Sequence, residues 1–428
     1  MSTSSSELAK TLTIGEAIGL AISIVVGSGL LVLPGLAYQL SGGAAIYSWL
    51  LNALLVIPLL IIFAYLGANF PSAGGIAGFV QAAFSRPLAA ATELLVLGTF
   101  SLGIPAIATT GGNYFSLAIN GGTIGTIIGT LGLLALAAIV NYQGAKISGR
   151  IQQILSFSLV AILGIAALAA LIFGDHSVGT PVAPLSMWQA ALPSLGLVFF
   201  AYTGWEMLSF TAEEYRNPRR DFPIAVSASF IIVILLYLAI ALGIQLTLSP
   251  QDSALTTAPV ARMLGAVLGS VSEKVVALIG VVIIATNLIG ATWAASRLVF
   301  SSAREGLLPR VLAEVDPRSR TPRPAIALVI TIFTIVAVTH FLGIVTLGQL
   351  LQIAGQNFFI LYGLSVIAYI KLASNLWFRL FGLVSLALVM VTMGTFGWAL
   401  LYPLALILLG LLLVRRRTAR VQPVHAAE

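Results

Sequence analysis

Apolar runs of about 20 residues follow one another along almost the whole chain, each parted from the next by a short polar segment. A run of that length crosses the hydrocarbon core of a bilayer as a helix. Twelve spans are predicted, near residues 13–40, 44–69, 87–112, 122–141, 150–174, 189–213, 222–247, 272–300, 324–343, 346–371, 376–394 and 396–414. The last two are divided by Met393, Gly394 and Gly397, which have to turn the chain tightly. The segment FPSAGGIAGFV, Phe70 to Val80, reads as a tight turn or a re-entrant piece.

Two of the runs are interrupted. The first reads VVGSGLLVLPG from Val25 to Gly35, and Gly27, Ser28 and Gly29 are poor helix formers at its middle. A break inside hydrocarbon frees backbone N–H and C=O groups at several kcal/mol each, unless it lines a protein cavity. A second break, FFAYTGWEML from Phe199 to Leu208, falls about half a chain later, in the sixth span. Paired interrupted helices in corresponding positions of two halves point to the substrate site of a secondary transporter. The spacing divides the chain into a tail (1–12), a five-helix repeat (13–174), a second five-helix repeat (189–371), two further helices (376–414) and a basic tail (415–428).

Charge sets the orientation. Of the 21 lysines and arginines, only Arg262 and Lys274 fall in segments on one side, and the other 19 fall on the opposite side. The positive-inside rule then places both termini in the cytoplasm of a multi-pass inner-membrane protein. The longest outer loop, 248–272, contains Val260-Ala-Arg-Met-Leu-Gly, which reads as a short helix on the membrane surface. Composition agrees: 59% of residues are hydrophobic and 8% are charged, against about 25% charged in soluble proteins. The basic residues form no patch that suits nucleic acid. There is no cysteine, which removes disulfide and thiolate chemistry. No phosphate-binding G-x-x-x-x-G-K-[ST] segment or H-E-x-x-H pair occurs, and His176, His340 and His425 are scattered. The enzyme reading is therefore rejected, and no cofactor or metal site is expected.

The first break offers N–H groups at a half-helix N-terminus, which with the helix dipole favour a carboxylate. The second, at Ala201-Tyr202-Thr203-Gly204, offers carbonyls suited to an ammonium group. Together they fit an amino acid zwitterion; each alone is also what a close helix crossing looks like. Phe199, Phe200, Tyr202 and Trp205 flank the second break, as gates, as walls of an apolar pocket, or as simple packing. Glu206 follows directly. A carboxylate at that depth is either part of an ion or proton pathway or is bonded to backbone freed by the break. Glu16 and Glu93 lie near span ends and can reach the interface. Asn287, Gln356 and Asn357 either line the pathway or bridge helices.

Several of these segments resemble the amino acid–polyamine–organocation superfamily. VVGSGLLVLPG is similar to that family's G-[ST]-G-[IVL]-F-x-x-P-G pattern, with Leu31 where phenylalanine is usual. PSAGG at 71–75, FFAYTGWEMLSFTAEEYRNPRRDFPIA from Phe199 to Ala225, and AREGLLP from Ala303 to Pro309 resemble further signatures of the family. The branch most similar is the bacterial exporters of methionine and branched-chain amino acids. The resemblance implies a LeuT-type fold of two inverted five-helix repeats plus two C-terminal helices, working by alternating access. It implies that Gly27, Ser28 and Gly29 bind the substrate carboxylate. It implies that Phe200, Ala201, Thr203 and Gly204 meet the amino end or gate the site, with Tyr202 beside them and Phe199 and Trp205 as further gates. Glu206 corresponds to a carboxylate linked to proton coupling in some members. Relatives with a lysine in the fifth span use it in place of sodium; none lies between Ile151 and Phe173, so that mechanism is not expected and sodium coupling stays open beside the proton expected from Glu206. The expected partners are an amino acid and the bilayer, and the expected activity is export of leucine, isoleucine, valine or methionine, or proton-coupled antiport. Uptake, exchange and non-transporting sensing are the alternatives.

Overall fold

Each apolar run is driven to form a helix, because in hydrocarbon only a helix or a closed barrel satisfies every backbone donor and acceptor. The structure, a computed structural model, describes residues 13–70, 75–144, 149–205, 217–304, 306–319, 321–394 and 397–421, and among these it is helical with no strand. The first span is α1 (Ile14–Val25) and α2 (Ser28–Ser41), split where the glycines predict. α3 (Ala45–Asn69), α4 (Gly75–Ala83), α5 (Arg86–Ile119), α6 (Gly122–Gln143) and α7 (Gly149–Phe173) complete the first set. The sixth span begins as α8 (Leu192–Phe199) and ends its outer half in a 3-10 turn at Phe200–Tyr202. α9 (Pro218–Thr247), α10 (Pro259–Leu268), α11 (Ser270–Arg304), α12 (Arg323–Phe341) and α13 (Leu347–Leu372) follow, and α14 (Leu376–Met393) and α15 (Leu401–Val421) are the added pair. Among the described residues, nine helical stretches are long and apolar enough to cross a membrane, and one of them, Gly29–Asn69, runs through the α2–α3 turn.

Two boundaries differ from expectation for a physical reason. α5 runs to Ile119 instead of stopping near 112. Gly111 and Gly112 do not end it: a Cβ on Gly112 would overlap the Thr130 hydroxyl of α6, so the pair lets two helices approach closely. The helix stops instead at Asn120, whose φ of 56° is left-handed. At the other end, a short 3-10 turn at Gly397–Leu400 delays α15 to Leu401, and the helix continues through Arg415–Arg417. The segment 71–74, the bulk of the glycine-rich stretch expected to turn, lies outside the described residues, as do the tail 1–12 and residues 422–428. Beyond 74 the chain is helical, as α4.

The basic-poor side is closed by two connections. The strap between α7 and α8 donates the Thr180 N–H to the Gln245 carbonyl (2.9 Å) and the Ala183 N–H to the Gly43 carbonyl (2.9 Å). Tyr38 in α2 donates its hydroxyl to Thr180 Oγ1 (2.7 Å) and the Leu248 carbonyl (3.2 Å). The second connection is the 248–269 loop. Its helix α10 does not lie loosely on the membrane surface: Val260, Ala261, Met263 and Leu264 are buried. Arg262 joins it to its surroundings, meeting Asp252 Oδ2 at 3.0 Å and Glu273 Oε2 at 3.8 Å. This cap sits directly on Gly35, where a Cβ would overlap the Leu255 carbonyl oxygen and lie 2.8 Å from Pro259 Cβ.

Gly35→Ala is therefore expected to push the cap off α2. Overpacking of this kind costs about 1–3 kcal/mol, and thermal unfolding in detergent is expected to show a lowered Tm, where an unchanged Tm means the cap yields freely.

Candidate functional site

Gly27 adopts an extended backbone (φ −112°, ψ −151°) and serves as N-cap of α2 without a capping side chain of its own. The first N–H groups of any α-helix lack intrahelical acceptors, so the α2 N-terminus presents donors and the positive end of its dipole at mid-membrane. Gly27 is used for proximity: a Cβ there would lie 2.9 Å from Asn287 Nδ2 of α11. A Cβ on Gly29 would lie 3.6 Å from the Ala201 Cα, an ordinary van der Waals contact, so the two breaks lie about one methyl group apart. Ser28 opens α2 between the two glycines.

At the second break the helix tightens to 3-10 over Phe200–Tyr202 and then opens. Thr203 is extended (φ −90°, ψ 165°), and its N–H (3.3 Å) and hydroxyl (2.8 Å) both donate to the Phe200 carbonyl. Gly204 has a φ of 110°, a region that only glycine enters without strain. The C-terminal, carbonyl-bearing end of the α8 half-helix therefore meets the N-terminal, donor-bearing end of α2. One pole suits an anion and the other a cation, within reach of a single small molecule.

Sequence reasoning missed the residue that joins the breaks. Tyr237 of α9 is fully buried, and its hydroxyl points at the Val25 carbonyl (3.0 Å) and the Ala201 carbonyl (2.8 Å), one from each break. A tyrosine in an apolar span carries no local signal of such a role. Tyr114 of α5 similarly donates to the Leu31 carbonyl at 2.7 Å. The Phe200 ring fits a slot made by small residues: Cβ atoms built on Gly103 and Gly355 would lie 3.0 Å from its Cε2 and 3.2 Å from its Cβ. Phe358 closes the slot, with its ring 6.1 Å from that of Phe200.

The other flanking aromatics point into the bundle. Phe199 packs edge-on against Phe359 (4.5 Å between centroids), and Trp205 against Phe230 (5.7 Å). Tyr202 donates its hydroxyl to the Trp49 carbonyl at 2.9 Å. Glu206 lies outside the described residues, as does the acidic loop through residue 216. Glu16 is in the first turn of α1. Glu93 does not simply reach the interface as expected. It is 8% exposed, receives Arg86 Nη1 at 3.0 Å and accepts the Ser302 hydroxyl at 2.9 Å, fastening α5 to α11. Of the polar groups with two readings, Asn287 borders the first break, whereas the Gln356 Oε1 and both side-chain polar atoms of Asn357 are buried without a partner among the described residues. Among the described residues no group of three or more metal-ligating side chains converges.

Comparison with known proteins places these features in context. A family model described as amino acid permease matches residues 12–423. An uncharacterized amino acid permease of Bacillus subtilis is 28% identical over 410 residues, 94% of this chain and 95% of that protein. The L-methionine/branched-chain amino acid exporter YjeH of Escherichia coli is 27% identical over 415 residues, 96% of this chain and 98% of that protein. A crystal structure of MhsT in complex with L-phenylalanine superposes with a TM-score of 0.62 at 14% identity, covering 90% of this chain and 99% of that one. At that identity the likeness speaks for the fold, and the fold is the LeuT type that the family resemblance implied.

Two substitutions test the geometry. Gly29→Val would drive two methyl groups toward Ala201, Phe200 and Leu33 while leaving the apolar run intact; the expected result is normal insertion with ligand binding weakened more than tenfold, read by a binding isotherm. Tyr237→Phe leaves two buried carbonyls short of a donor, a loss of about 1–3 kcal/mol; a lowered Tm together with weakened binding is expected, and neither would change if the hydroxyl were idle.

Proposed function

Because the chain belongs to the amino acid permease family and is an amino acid transporter of that family, we propose that it carries neutral, apolar amino acids across the inner membrane by alternating access, as an exporter or proton-coupled antiporter. The observation that carries this reading is the meeting of two opposed half-helix ends, with Gly29 against Ala201. The α2 N-terminus takes the substrate carboxylate through the Gly27–Ser28–Gly29 turn. The ammonium group lies against the carbonyls of the Phe200–Gly204 break. An amino acid matches both poles, whereas a simple anion or cation leaves one desolvated and unmet, which is costly in a low-dielectric site.

The side-chain preference follows from what surrounds that junction. Leu33 stands beside Gly29, and Ala354 and Phe358 stand beside Phe200. These apolar groups favour leucine, isoleucine, valine or methionine and offer a charged side chain nothing. The Escherichia coli relative, a methionine and branched-chain amino acid exporter, supports the same substrates and the outward direction. Glu206 is assigned the coupling proton, because a carboxylate beside a break at mid-membrane is the group there whose charge can be neutralised by protonation. The charge asymmetry supports cytoplasmic termini.

Counterflow in proteoliposomes tests the substrate: labelled amino acids outside are exchanged against unlabelled leucine or methionine inside. Accumulation of apolar amino acids alone is expected. Accumulation of cationic ones overturns the side-chain assignment, and no counterflow in protein that binds leucine overturns transport itself. For the coupling ion, Glu206→Gln is expected to flatten the pH dependence of net flux while counterflow persists; a pH profile like that of the unaltered protein removes Glu206 from the coupling step, and a dependence on sodium would put that ion in the proton's place.

A further inference from the structure

The outward face of α11 changes character along its length. Val271, Val275, Leu278 and Val282 are exposed at helical spacing, opposite the buried Ile284, Leu288, Ala295 and Val299. Toward the basic-rich end the same face carries Trp293, Arg297, Phe300 and Arg304, which at 3.6 residues per turn fall within about 60° of one another. Trp293 is 48% exposed. The Arg297 guanidinium sits 5.3 Å from the Trp293 ring centroid, and that of Arg304 sits 5.6 Å from the Phe300 centroid. Arg297 donates to the Ser296 hydroxyl at 3.2 Å, and among the described residues neither arginine pairs with a carboxylate. Most of the donor capacity of both guanidinium groups is thus left facing outward.

Depth says what they face. Along α11, Arg297 is about 34 Å and Arg304 about 45 Å from Lys274, at 1.5 Å per residue. A bilayer has a hydrocarbon core of about 30 Å and is about 40–45 Å thick with its headgroups. With Lys274 at the outer interface, Arg297 lies at the inner edge of the hydrocarbon and Arg304 among the inner headgroups. That interval is where lipid phosphates are. A guanidinium there without a protein counter-ion is met by an anion, and its planar fork matches two phosphate oxygens. Tryptophan suits the same level, with its ring at the boundary. We infer that the inner end of α11 is a binding site for the phosphate of an anionic phospholipid headgroup, with Arg297 and Arg304 as the donors and the Trp293 and Phe300 rings holding them in place.

The test reads lipid occupancy directly and needs no transport, so it stands or falls apart from the substrate assignment. The protein is reconstituted in phosphatidylcholine vesicles with increasing phosphatidylglycerol, one of the two lipids carrying bromine in its chains. Quenching of Trp293 is taken as the difference between the unaltered protein and Trp293→Phe. Brominated phosphatidylglycerol is expected to quench in preference to brominated phosphatidylcholine, by about five-fold for each arginine engaged. Arg297→Gln and Arg304→Gln should each reduce that preference, and the pair should abolish it. Millimolar inorganic phosphate should leave it unchanged. Equal quenching by the two lipids, an unaltered preference in the double variant, or displacement of the lipid by inorganic phosphate would each overturn the site. Arg304→Gln alters only an exposed side chain, so its reading does not depend on the fold tolerating a change at Arg297.

Discussion

Every feature of this structure answers one constraint: in hydrocarbon a backbone polar group without a partner costs several kcal/mol. Among the described residues, ten of the twelve predicted spans meet it without a break of this kind. Two do not, and the molecule is arranged around their exposed ends. The broken ends are placed against each other, so that donors at the α2 N-terminus and carbonyls at the end of α8 share one small space. What remains is taken up by side chains brought from elsewhere, Tyr237 and Tyr114 from neighbouring spans and Thr203 from within the break itself. A zwitterion bound as proposed would in this sense be the partner that completes the backbone.

Such closeness requires that side chains be absent at chosen points. Gly27 lets the first break meet Asn287 of α11, while Gly103 and Gly355 let α5 and α13 close on Phe200. Away from the site the same device fixes the added pair to the repeats: a Cβ on Gly410 of α15 would lie 2.9 Å from Ala91 Cβ of α5, and Tyr402 donates to the Gly98 carbonyl at 3.0 Å. In a bilayer, where lipid is as apolar as the helices, packing of small residues and interhelical hydrogen bonds replace the hydrophobic drive.

The parts of this arrangement that are local were legible in the sequence. Glycine and serine in the middle of an apolar run announce a break wherever the run folds, and α2 begins at Ser28 as that rule demands. Most span boundaries follow from the polar segments between runs. Glycine is ambiguous, however: at Gly27 it ends a helix, and at Gly111–Gly112 it sits inside one because α6 comes near. Only tertiary position separates the two cases. For the same reason Tyr237 passed unnoticed, since its importance lies in two carbonyls 36 and 212 positions away in the chain. Glu93 was underestimated because the Ser302 hydroxyl, 209 positions away, comes to it only in the folded molecule.

The Tyr237 hydroxyl has a single proton and two carbonyl oxygens within reach. If α1 swings away from its present position, the proton passes wholly to Ala201, and no donor is stranded. When α1 returns, the proton is shared again. For the alternating access proposed above, the junction would then act as a bearing rather than a weld: the contact between α1 and the rest of the bundle could be broken and remade with the tyrosine proton always bonded.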